Sequence, residues 1–219
     1  MRKKQQYNAG LTLIEMLVVL GIFATVSGIL LFNYGDFRNN VSIRNLSQEV
    51  ALAVRKAQTY ATSVRGTSIG GSTRDYPAYG IAFASTAAVP DLAPDQKEIV
   101  LFVDVPPGAD PELNGDTYYS YGSATCGAVS EGEECFEKLQ IATTDKIKKV
   151  EVCTSSFTCS EVPEVYISFQ RPNPDAVFCV PSGAVCDSTV YSSAILTLES
   201  AVGLQKKVSV WNTGQISVQ

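Results

Sequence analysis

Two sets of side chains in this 219-residue chain are of types that do chemistry. One is a lone carboxylate, Glu15, in the run Gly10-Leu11-Thr12-Leu13-Ile14-Glu15, which is followed by seventeen uncharged residues, 16–32. The other is six cysteines in three close pairs: Cys126 and Cys135, Cys153 and Cys159, Cys179 and Cys186. A carboxylate buried unpaired in lipid costs several kcal/mol, so Glu15 must either neutralise or find a cation. An even number of cysteines, all beyond the apolar run, reads as a disulfide framework built in an oxidising compartment. Six cysteines allow fifteen pairings, and nearest-neighbour pairing is one of them. Histidine is absent. That removes the usual general base, any Ser-His-Asp arrangement and the usual zinc co-ligand, and there is no Cys-x-x-Cys. Acids such as Asp104, Asp110, Glu131, Glu133 and Glu134 are of the type that ligates calcium, but their spacing matches no loop motif. A solvated acidic surface accounts for them. The expectation is no enzyme, no cofactor and no metal.

The element that must position Glu15 is a membrane helix. As a helix, residues 11–32 span roughly 33 Å, enough for the hydrocarbon core. Arg2, Lys3 and Lys4 predict a cytoplasmic N-terminal side. An ordinary secretory signal is cut at small residues after its apolar stretch. Here the small-residue break, Ala9-Gly10, comes before it. A cut after Gly10 removes the basic residues, keeps the helix and creates an α-amino group at Leu11, four residues from Glu15. The same amine on a neighbouring subunit is a cation for Glu15, and such a pair sets axial register as single buried polar groups do in coiled coils.

The run Gly10-Leu11-Thr12-Leu13-Ile14-Glu15-Met16-Leu17, behind a short basic leader, resembles the class III signal of type IV pilins and type II secretion pseudopilins. The resemblance implies that prepilin peptidase cuts after Gly10 and methylates Leu11, which stands where phenylalanine is usual. It makes Glu15 the family's fifth-position glutamate and Thr12 its neighbour in assembly and register. Many family members have a proline near position 32; this chain has none, so any weakening of the helix there relies on Gly28, Asn33 and Gly35.

Beyond the apolar run, Asn33, Tyr34, Gly35 and Asp36 mark a membrane–water boundary. A second helical pattern extends to about Val64. Ile43, Val50, Ala57 and Val64 recur every seven residues, with Leu46, Ala53 and Tyr60 between them, opposite Arg44, Gln48, Glu49, Arg55, Lys56 and Gln58. Gly66 is a plausible C-cap. This stripe predicts a spine helix laid on the domain's own sheet rather than a coiled coil. Strand patterns follow at 79–84, 98–104, 136–142, 148–153, 164–170, 176–180 and 194–199. A final pair, 206–211 and 215–218, flanks the hairpin signal Asn212-Thr213-Gly214. Pro106-Pro107-Gly108, Asp110-Pro111 and Asn114-Gly115-Asp116 form a long turn-rich connection.

Residues 1–10 are thus expected to be a leader, 11–33 a transmembrane and filament-core helix, 34–66 an amphipathic spine helix, and 67–219 an exported, disulfide-bonded β-rich domain. The fold class is α+β and pilin-like, most similar to FimT/GspH-type minor pilins. The implied role is a structural subunit of a type IV pilus or type II secretion pseudopilus. Its partners would be prepilin peptidase, other pilin or pseudopilin subunits, an inner-membrane assembly platform and membrane lipid. The expected location is the inner membrane, leader inside and C-terminal domain outside, and then the fibre. Two rival readings are a DNA-binding uptake pilin and a membrane-anchored β-domain that never polymerises. Losing the leader's three cations from a net charge of −5 leaves −8, which argues against DNA. The cations left to serve it are Lys146, Lys148 and Lys149, or Lys206 and Lys207. The Gly10/Glu15 spacing argues against the second rival.

Overall fold

A computed structural model describes residues 12–63, 67–69, 72–74, 77–85, 96–105, 117–120, 126–127, 134–156, 158–183 and 185–219. Among the described residues one helix, α1 (Leu13–Thr62), precedes twelve strands, so the class is α+β with the N-terminal helix packed on antiparallel sheets. The chain divides into two compact units, Met1–Asn40 and Val41–Gln219.

In the first unit the apolar side chains of α1 lie open among the described residues: Leu13, Phe23 and Leu31 are 83%, 70% and 76% exposed. That surface is untenable in water and requires lipid or other helices. Gly28 and Gly35 do not break the helix, and the Thr25 hydroxyl returns to the Ile22 carbonyl at 2.8 Å, so it is satisfied within its own turn.

In the second unit the stripe expected from the sequence is the buried face of α1. Ile43, Leu46, Val50, Ala53 and Ala57 are buried, joined by Val54 and Ala61. Tyr60 is half-buried and meets Tyr79 and Phe136 edge-on, with ring centroids 5.6 and 6.1 Å away. The proposed helix end at Val64 and Gly66 lies outside the described residues.

The strands form two five-stranded antiparallel sheets and a separate ribbon, β1 (Thr67–Ile69) with β2 (Ser72–Arg74). The first sheet runs β5 (Cys135–Gln140), β4 (Glu98–Asp104), β3 (Ala78–Ala84), β8 (Glu164–Phe169), β9 (Ala176–Cys179). Its central strands are buried on both faces, which is why they read as near-continuous apolar runs. Tyr79, Ile81, Phe83, Ile99, Leu101 and Val103 point into the core shared with α1. Ala82, Val100, Phe102 and Tyr166 face a second, smaller core with Tyr119, Cys135 and Cys179. The second sheet runs β12 (Ile216–Val218), β11 (Gln205–Trp211), β10 (Ser193–Glu199), β6 (Lys146–Cys153), β7 (Cys159–Val162). Its apolar face enters the core, and on the other face Thr197 and Ser209 are buried too. Ile147, Val150, Leu196, Leu198, Val208 and Val210 enter the main core, while Lys149, Glu151, Thr197 and Ser209 alternate outward.

Two side chains on the polar side of α1 fasten it to this unit. Lys56 Nζ lies 2.5 Å from Glu137 Oε2 on β5. Gln58 Nε2 donates to the carbonyls of Pro174 at 2.9 Å and Gly214 at 3.0 Å. At the other end of the packed stretch, Ser42 Oγ and Thr143 Oγ1 donate to the buried Asp145 carboxylate at 2.5 and 2.8 Å. The part of α1 in the second unit is therefore held by side chains as well as by its apolar stripe.

Candidate functional site

The head of α1 is a reciprocal cap. The Thr12 carbonyl accepts from Met16 N–H, the first intrahelical bond, at 3.2 Å. Thr12 Oγ1 accepts from Glu15 N–H at 3.3 Å, while Glu15 Oε2 accepts from both the N–H and the hydroxyl of Thr12, each at 2.8 Å. This is a capping box: threonine at the cap position and glutamate three residues on satisfy each other's orphan groups. The signal for it, Thr-x-x-Glu ahead of an apolar run, is legible in the sequence, although the sequence reading above assigned Glu15 only to inter-subunit register.

The box answers how an acid can stand in a lipid helix. One carboxylate oxygen is doubly bonded by Thr12, which offsets part of its desolvation. The other, Oε1, accepts no hydrogen bond among the described residues. The groups that build the box, Thr12 and Glu15, both lie beyond Gly10, so a cut there leaves the cap standing. Gly10 and Leu11, the expected cleavage and methylation residues, lie outside the described residues.

The cysteines are joined Cys126–Cys135, Cys153–Cys159 and Cys179–Cys186, closing separations of 9, 6 and 7 residues. Cys153 and Cys159 are directly opposite in the β6–β7 ladder, so that bridge locks a hairpin. The other two border the smaller core, where Cys135 and Cys179 are buried beneath Tyr119 and Phe102.

The lysines weighed for nucleic acid sit on β6 and β11 of the second sheet, and two of them are engaged. Lys148 pairs with Glu199 at 2.5 Å; Lys149 pairs with Glu151 at 2.8 Å and Glu161 at 3.6 Å. The Glu151 hydrogen bond raises the Lys149 pKa, and the Lys148 hydrogen bond lowers that of Glu199. These acids cancel much of the positive field that phosphates would need. Lys146, Lys206 and Lys207 make no ion pair among the described residues.

Residues 5–31 match the model of the prokaryotic N-terminal methylation motif. No curated protein and no solved structure matches the chain. The matched stretch holds the capping box and most of the exposed apolar helix, and it supports a type IV pilin-like precursor, anchored through that helix and processed by prepilin peptidase.

Proposed function

We propose that the protein is a filament subunit, a minor pilin or pseudopilin of the FimT/GspH type, serving a type IV pilus or type II secretion pseudopilus. The observation that carries this reading is the Thr12–Glu15 box at the head of an exposed apolar stretch of helix, within the methylation motif. In the membrane pool, Thr12 holds one oxygen of Glu15. Cutting after Gly10 frees the amine of Leu11 on each subunit, and Oε1 of a neighbour's Glu15 receives it as helices bundle. The low-dielectric bundle strengthens that pair, and its single geometry fixes the register. In this reading residues 1–10 are the leader, 11–33 the membrane and fibre-core segment, 34–66 the spine, and 67–219 the domain carried outward. The assembly platform and other subunits are the partners.

The test is intact-mass analysis of the chain recovered from membranes and from sheared fibres. The expected species begins at Leu11, carries one N-methyl group and appears in both fractions. A species retaining Met1 in the membrane and none in fibres would overturn the reading.

A further inference from the structure

A cleft of about 220 Å³ opens beside α1 in the second unit. Leu46, Val50, Ala53, Ile99, Leu139 and Ile141 wall it, and Leu52, Glu49 and Lys56 stand at its rim. It is smaller than the roughly 300–1,000 Å³ of small-molecule sites, and it suits one or two aliphatic side chains from a protein partner. Leu52 is 66% exposed at this rim. Lys56 is engaged by Glu137, whereas Glu49 makes no ion pair among the described residues. The cleft therefore asks for an aliphatic knob accompanied by a cation.

The second unit carries such a knob elsewhere. The turn at 200–204, between β10 and β11, presents Val202 at 57% exposure. It is stiffly built: Gly203 N–H bonds to the Ser200 carbonyl at 3.0 Å, Leu204 N–H to Ser200 Oγ at 3.1 Å, and Ser200 N–H to the Leu204 carbonyl at 2.8 Å. A preordered turn loses little entropy on docking. Three cations that make no ion pair among the described residues flank it: Lys206 and Lys207 follow it on β11, and Lys146 is paired in register with Glu199 at the end of β10.

We propose that the cleft beside α1 receives the 200–204 turn of a second copy of this chain, with Val202 between its apolar walls and Lys206 or Lys207 facing Glu49. The proposal rests on the polymerisation reading above. Knob and cleft are different patches of one surface, so the contact is heterologous and propagates rather than closing into a two-fold dimer, as a fibre requires.

The experiment co-expresses Leu52→Cys chains with Val202→Cys chains and examines sheared fibres on a non-reducing gel. Both positions are exposed, and the melting of each variant, followed by Trp211 fluorescence, is compared with the unmodified chain. The expected result is a cross-linked dimer in mixed fibres and none in fibres of either variant alone. Fibres of normal yield without the mixed dimer would overturn the contact while leaving polymerisation intact. So would self-cross-linking of Leu52→Cys, which marks a two-fold pairing of helices. An unmodified chain that is never recovered in fibres would overturn both readings. As a second arm, Glu49→Lys should reduce fibre yield several-fold, and Lys206→Glu with Lys207→Glu in the same chain should restore it. Loss without restoration overturns the pairing.

Discussion

Gly214 and Gly203 both occupy the left-handed region, at φ +77° and +84°, yet their surroundings differ completely. A Cβ at Gly203 would meet nothing within 4 Å. A Cβ at Gly214 would lie 2.1 Å from the Pro174 carbonyl oxygen and 2.5 Å from Gln58 Nε2. Gly203→Ala should therefore cost only the backbone strain, about 1–2 kcal/mol. Gly214→Ala has the same strain and must in addition break the two Gln58 hydrogen bonds or push the hairpin off α1. Each such bond contributes about 0.5–1.5 kcal/mol net, so the total reaches roughly 2–5 kcal/mol. For a domain of this size that is a fall in Tm of roughly 4–20 °C, against about 2–8 °C for Gly203→Ala. Trp211, the only tryptophan, immediately precedes the hairpin turn and reports its unfolding by fluorescence in the detergent-solubilised chain. Equal Tm losses for the two variants would refute the idea that Gln58 and Pro174 clamp this hairpin to the helix.

Asp145→Ala removes the acceptor that ties Ser42 to the turn before β6, and should destabilise by about 1.5–3 kcal/mol in urea unfolding. Gly80→Ala would place a Cβ 2.2 Å from the Phe102 ring. It should cost about 1–3 kcal/mol, and Phe102→Leu in the same chain should recover part of that, a non-additivity read from denaturant midpoints. Burial, together with the hydrogen bond to Asp187, raises the Tyr191 pKa above the ordinary phenol range. The folded state then holds this proton more tightly than the unfolded chain, so stability falls as pH rises from the ordinary phenol range through the raised one. Urea midpoints against pH should show that alkaline decline, and Tyr191→Phe should flatten it.

The apolar stripe of α1 and the strands with strong β-branched runs were legible because their periodicity is imposed by a buried face. The run Glu98-Ile99-Val100-Leu101-Phe102-Val103-Asp104 is the clearest case, and its expected span matches β4. β7 was not expected: Cys159-Ser160-Glu161-Val162 is a short edge strand, mostly exposed and without an apolar pattern. Nor does any local pattern say that the strands divide into two sheets, since β6, ending at Cys153, pairs with β10, beginning at Ser193. Sheet membership is a property of the shared core. The tethers Lys56 and Gln58 were assigned to the solvated side of the helix because their types suit it. Only the tertiary positions of Glu137, Pro174 and Gly214 make them anchors. At the candidate site, Thr12 and Glu15 were singled out for their spacing, while the hydrogen bonds between them required the helix to start at Leu13.

The account stands or falls on Glu15. Glu15→Ala in the full-length chain leaves the apolar helix and Gly10 intact, so the variant should still be cut before Leu11 and remain in the membrane fraction. On the proposed register a neighbour's Leu11 amine then loses its partner, and fibre yield measured by shearing should collapse. Correct processing together with fibres at the unmodified yield would contradict it.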